Sequence, residues 1–257
     1  MTECKVLKRP FLVKNNFGYV ITDFKRKGML CFFSNRNSNY NVCSSKNKKA
    51  IDSREKIFKI FRIKRAQAVF LKQIHGSKIA AITKARAGCG VFDKKSRIKT
   101  FDGAITDIAD IALCVLTADC LPLVFFASRP KRVIGIVHAG WRGTQGEISK
   151  KIIRKICRRF CVAPEDITVF IGPGIRACCY EIKEDLKRPF PKHTYIRKGA
   201  LYLDLAGANI EQMIDAGVKK GNIYDTQMCS FCRKDEFFSY RSGDTYKRML
   251  TLVNLQA

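Results

Sequence analysis

Histidine, tryptophan and acidic residues are scarce in this chain: 257 residues include three His, one Trp, and 22 Asp and Glu against 49 Lys and Arg. No apolar run approaches the ~20 residues that a membrane-spanning helix requires, so no transmembrane segment and no membrane partner are expected. The opening MTECKVLKRP lacks an apolar signal region, which makes the cytoplasm the expected compartment.

Hydrophobic content is 46% and there are 18 Phe, enough apolar surface to offset chain entropy in a globular core. No composition break divides the chain, so residues 1–257 read as a single domain. The net charge of +27 would favour phosphate-rich partners. The basic residues are spread along the whole chain, however, in a usage rich in Lys, Ile, Asn and Phe that A+T-biased codons produce. No compact basic module with interleaved aromatics occurs, so nucleic acid is not the expected partner. The 12 Cys are irregularly spaced, and several lie inside apolar runs, such as Cys31 in MLCFF and Cys114 in IALCVL. Most therefore read as reduced packing residues rather than a disulfide framework.

Short apolar pieces, GYVI and MLCFF, read as strands leading into a long Asn- and Ser-rich loop. A helix is expected over 51–63, where Ile57, Phe58, Ile60 and Phe61 recur at helical spacing. Another is expected over 145–160, with Ile148, Ile152, Ile153, Ile156 and Phe160 on one face and a solvated cationic face opposite. AVFLKQIHG reads as a strand ending at His75, IALCVLTADCLPLVFF as two apolar runs, and KRVIGIVHAGWRGT as a strand ending in His138 and a glycine-bounded turn. ITVFIGPGI is a strand, LDLAGANIEQMIDAG a helix closed by Gly217, and RMLTLVNL a final strand. The mixed order of these pieces indicates an α/β class domain, a mixed β-sheet core flanked by helices.

His75 and His138 share a local signature: an apolar β-rich run, then His, then a small residue and a turn. His193, in FPKHTY, lacks it. Cys120, in TADCLP, also falls near a strand end. Two imidazoles and a thiolate suit zinc or copper, and three protein ligands leave a fourth position open for chemistry. The spacing 75, 120, 138 is not a local metal motif, though, and a His or Cys at a strand end is commonly structural. On the residues alone both readings stand.

Five motifs in order, LKQIHG, FDGAITD, LTADCLP, VHAGWRGT and IGPGIRACCYEI, resemble the family variously called YfiH-like, multicopper polyphenol oxidase or laccase-domain proteins, and purine nucleoside phosphorylase-type peptidoglycan editing factors. The likeness covers residues 70 to 183, and MCSFC and FFSYR extend it to about residue 241. The resemblance implies His75, Cys120 and His138 as metal ligands, Zn²⁺ as the cofactor with copper as an alternative, and a purine nucleoside and phosphate as substrates. The implied activity is phosphorolysis of adenosine, inosine and methylthioadenosine together with adenosine deamination. Copper-dependent phenol oxidation, peptidoglycan-precursor editing or a basic binding role are the alternatives. Three His in total are few for multicopper electron transfer.

Arg142, beside His138, is the expected phosphate cradle, since a guanidinium fork matches phosphate geometry. Arg36 in FSNR resembles the arginine of an N-terminal family motif and is expected at the same anion, although NSNYNV replaces the family's following Gly-Gly. Asp119 is expected either to orient a ligand or take a proton, or to satisfy turn amides. Asp102 reads similarly, with the Asp-Gly turn favoured. Trp141 offers an aromatic face to a purine or belongs to the core. Gly174 stands where the family commonly has Cys, and Cys229-x-x-Cys232 is a lone CxxC with no partner pair in its sequence neighbourhood, which argues against zinc or redox use. The oligomeric state is open.

Overall fold

The apolar runs become strands of two large mixed sheets in the computed structural model, which describes residues 5–6, 12–22, 24, 28–38, 40–41, 48–91 and 94–256. The first sheet has seven strands in the order Lys5–Val6, Ile223–Asp225, Thr168–Ile171, Leu121–Ala127, Val133–Ala139, Gly103–Thr106 and Ile79–Ala81. The second has eight, ordered Leu12–Asn15, Gly18–Ile21, Met29–Ser34, Lys247–Leu255, Ala112–Thr117, Ala68–Lys72 and Ile98–Lys99, with Tyr40–Asn41 paired to the start of the Lys247 strand. Glu181–Ile182, Ala200–Leu203 and Thr194–Arg197 pair in a third, three-stranded sheet whose Ile182 and Leu203 join the core of the first.

Side chains alternate across a strand, and here both faces of each large sheet are covered. Leu121, Leu123 and Phe125 point to one side, where they pack on helices Ile148–Phe160 and Leu205–Asp215. Val124 and Phe126 point to the other side and meet Met29, Cys31, Phe33, Leu113 and Val115 of the second sheet. The far face of that sheet carries Phe32, Phe70, Cys114 and Leu252, covered by Ile57 and Phe58 of helix Lys48–Ile60. The order is helix, sheet, sheet, helix. This bears out a mixed sheet core flanked by helices, and it explains why the strands read as continuous apolar runs instead of alternating patterns.

The helix expected over 145–160 begins at Ile148, and its fully buried Ile152 and Ile153 each contribute about 1.5–3 kcal/mol. Lys151, Arg154, Arg158 and Arg159 stand in solvent, as the cationic face suggested. Asp204 caps the next long helix through the Gly207 amide at 2.8 Å. Two local readings are corrected. The strand expected to end at His75 stops at Lys72, and the glycine-bounded turn after His138 is a short α-helix, Trp141–Gln145, entered from extended Gly140. Much of the expected Asn- and Ser-rich loop lies outside the described residues. No helix among the described residues is long and apolar enough to cross a membrane.

Strand Ala112–Thr117 belongs to the second sheet and Leu121–Ala127 to the first, so residues 118–120 cross from one layer to the other. The Ala68–Lys72 strand runs parallel to Ala112–Thr117, and Ala139 pairs with Leu121. The loop holding His75, the crossover holding Cys120 and the strand end holding His138 consequently meet at one end of the sandwich.

Candidate metal centre

His75 sits on a short loop pinned at both sides. Gln73 continues the strand pairing with its side chain: its Nε2 donates to the Leu116 carbonyl at 2.7 Å and its Oε1 accepts the Leu116 amide at 2.9 Å. Beyond it His75 adopts a left-handed φ of 60°, a conformation that costs free energy outside glycine. The Asp102 carboxylate holds that turn by accepting the backbone N–H groups of Ile74, His75 and Gly76 at 2.7–3.2 Å.

Asp102 also holds His138. Its Oδ1 lies 2.9 Å from His138 Nδ1, and the carboxylate has no solvent exposure. Burial alone would raise this carboxyl, but the His138 bond, the His138 charge and the Gly76 and Ile74 amides hold it below the usual carboxylate range. An ionised carboxylate only accepts, so Nδ1 carries the hydrogen and Nε2 is left with its lone pair for a metal.

The donor atoms of His75, Cys120 and His138 converge within 4.8 Å of one another, and the two imidazoles meet edge to face at 4.8 Å between centroids. The thiol has a different character from the packing cysteines. Burial pushes Cys31 and Cys114 far up, whereas Cys120, which burial would also raise, is brought down to about 6 by the His138 charge and by bonds to both imidazoles. Gly140 is required here: a Cβ would stand 2.9 Å from Cys120 Sγ and 3.4 Å from His75 Cδ2. Two imidazoles of which one has a fixed tautomer, together with a readily ionised thiol, fit a zinc- or copper-type ion with one coordination side left open.

That side faces a cleft of about 590 Å³. Arg142 and Trp141 line it from the short helix, with the guanidinium carbon stacked 4.3 Å from the indole centroid. Asp119 reaches the wall, but Oδ1 accepts the Ser230 hydroxyl at 2.7 Å and Oδ2 the Arg241 amide at 2.8 Å. Both oxygens thus tie the loop that carries Cys120 to the segments of Ser230 and Arg241. Arg36 does not line the cleft. Its guanidinium pairs with Asp244 at 2.8 Å, donates to the Phe237 carbonyl at 3.1 Å and lies over the Phe238 ring, so it braces the segment that presents Tyr240 and Arg241. Expected at the substrate anion, it stands here outside the cleft wall, in contacts that brace this segment.

Arg241, Tyr180, Tyr240, Arg97 and Arg248 were not expected among the site residues, and all line the cleft. The FFSYR motif contains Tyr240 and Arg241 and the IGPGIRACCYEI motif contains Tyr180, so the signal was there; Arg97 and Arg248 lie outside the quoted motifs. Asp102 reads in sequence as a turn residue, because the three amides it binds come from a loop and the imidazole from a strand, both distant along the chain.

A family model described as multi-copper polyphenol oxidoreductase laccase matches residues 24–256. Purine nucleoside phosphorylase YlmD of Geobacillus stearothermophilus is 36% identical over 195 residues, 72% of this chain and 71% of that protein. Adenosine deaminase RL5, from an unknown prokaryotic organism, is 30% identical over 192 residues, 69% of this chain and 72% of that protein. The crystal structure of Bacillus licheniformis hypothetical protein YfiH superposes with a TM-score of 0.90 at 25% identity, covering 97% of this chain and 100% of that one.

Proposed function

The chain belongs to the multi-copper polyphenol oxidoreductase laccase family, and on that premise we propose that it is a zinc-dependent purine nucleoside phosphorylase for adenosine, inosine and methylthioadenosine that also deaminates adenosine. One observation carries the reading: a three-donor centre opens into a cleft whose walls combine arginines with aromatic rings. Phosphate is matched by Arg142 and Arg241, and the flat purine by Trp141, Tyr180 and Tyr240.

In phosphorolysis the bond between C1′ of the ribose and N9 of the purine breaks, a phosphate oxygen bonds to C1′, and the purine leaves with the electron pair and takes up a proton. In deamination water adds at C6 and ammonia leaves. His75, Cys120 and His138 would hold zinc, which supplies Lewis-acid polarisation of an oxygen in the site. Asp102 keeps His138 in one tautomer, and Asp119 with Arg36 keeps the Arg241 segment in place.

Copper-linked phenol oxidation finds less support in the donor set. The chain has three His, and His193 is bound to Glu211 at 2.9 Å and does not line the cleft. Protein of known zinc content incubated with adenosine is expected to release adenine only when phosphate is present, and inosine without it. A folded protein with zinc on His75, Cys120 and His138 that forms neither product would overturn the reading.

A further inference from the structure

The CxxC that looks isolated in sequence has a partner pair in space. Cys178 and Cys179 follow strand Thr168–Ile171, about fifty residues before Cys229 and Cys232, and the four sulfurs lie within 4.8 Å of one another. Cys232 Sγ is 3.5 Å from Cys178 Sγ and 3.2 Å from Cys179 Sγ. Zinc–sulfur bonds of about 2.3 Å in a tetrahedron would place sulfurs about 3.8 Å apart, so four thiolates could close on one ion by small side-chain adjustments. We propose that Cys178, Cys179, Cys229 and Cys232 form a second metal site, a tetrathiolate that takes zinc as a structural ion.

The backbone brings the ligands together without help from the ion. Gly174 and Cys229 form a parallel bridge, in which Gly174 donates to the Met228 carbonyl at 3.1 Å and accepts the Ser230 amide at 3.0 Å. The departure at Gly174 has a steric reason: a Cβ there would stand 2.7 Å from Leu121 Cδ2 and 2.9 Å from the Asp119 carbonyl. Cys178 and Cys179 lie in a turn, not a strand, so neighbouring side chains need not point to opposite faces. Four thiolates on a divalent ion leave two negative charges, and the chain around them carries a net +27, with Arg197 donating to the Cys178 carbonyl at 2.5 Å.

The site clamps two segments that build the cleft. Tyr180 follows Cys179 directly, and Ser230, inside the CxxC, donates to Asp119, the neighbour of Cys120. All four ligands are distinct from His75, Cys120 and His138, so the inference stands apart from the nucleoside reading.

Elemental analysis and native mass spectrometry of protein prepared with zinc and a thiol reductant are expected to find two zinc per chain. The count falls to one in Cys229→Ser/Cys232→Ser and also to one in His75→Ala. Cobalt-substituted His75→Ala is expected to keep the strong thiolate charge-transfer absorption of a tetrahedral tetrathiolate centre. Cys178 and Cys232, although exposed, should resist alkylation until a chelator is added. One zinc per chain in the wild type with these thiols freely alkylated overturns the proposal, as does a disulfide among them in place of the ion. If the double serine variant does not fold, the wild-type stoichiometry and the cobalt spectrum of His75→Ala still decide.

Discussion

Asp102 and His138 are joined twice: the carboxylate bonds the imidazole Nδ1 at 2.9 Å, and the His138 amide donates to the Asp102 carbonyl at 2.7 Å. The backbone bond sets the spacing of the two residues and the side-chain bond then sets the ring. Asp102→Asn removes the anionic acceptor and frees the tautomer. Zinc affinity is expected to fall ~10- to 100-fold, read by competition with a chelator. Unchanged affinity would show that the tautomer is fixed by something else.

Gly140→Ala tests how tightly the ligands are packed. The added methyl would press on Cys120 Sγ at 2.9 Å, a contact that cannot be relieved without moving a ligand. Metal affinity and turnover are expected to drop together while circular dichroism of the fold is retained. Full metal loading at wild-type affinity would contradict the close approach.

Arg142 and Arg36 are expected to part company. Arg142→Ala removes a charged hydrogen-bond partner worth about 1.5–3 kcal/mol, so kcat/KM for phosphate should fall on the order of 10- to 100-fold while deamination is spared. Arg36→Ala breaks the pair with Asp244 and should lower stability by about 1 kcal/mol or less. Because Arg36 only braces the wall, its effect on KM for phosphate should be smaller than that of Arg142. Steady-state kinetics with varied phosphate separates the two.

The pH dependence of metal uptake follows from the thiol and the imidazole. Burial alone would lower His138, but the Cys120 thiolate and Asp102 raise it to about 9, while Cys120 is brought down to about 6. Between those values the metal-free site pairs a thiolate with an imidazolium, and a metal needs both unprotonated. Zinc binding at pH 7.5 should therefore release about one proton, detectable by calorimetry in buffers of different ionisation enthalpy. The sign for stability is set by each group. The depressed thiol loses its contribution as pH falls through about 6, and the raised imidazole as pH rises through about 9. Each shift depends on the other group's charge, so the metal-free protein should be most stable between these limits.

Much of the fold could be read along the chain, because burial imposes local periods. The face of Ile148, Ile152, Ile153 and Ile156, the helix closed by Gly217 and the final strand through Leu252 all appear where the pattern placed them. That the apolar runs divide between two sheets could not be read. A strand covered on both faces has the same composition in either sheet, and only the crossover at 118–120 assigns Ala112–Thr117 and Leu121–Ala127 to different layers.

The sequence alone determined the donor chemistry: two imidazoles at the ends of β-rich runs, one thiol between them, and the order of motifs that set them apart from nine other histidine-free cysteine contexts in the described chain. Only the tertiary structure decided which groups serve them. Asp102 became the anchor of His138, Arg36 a brace for the 237–244 segment, and the lone Cys229-x-x-Cys232 half of a four-sulfur cluster. Local pattern records how each residue is buried. Which distant residues share a point in space depends on strand order and on crossings between layers, and those are set by pairing across tens to hundreds of residues.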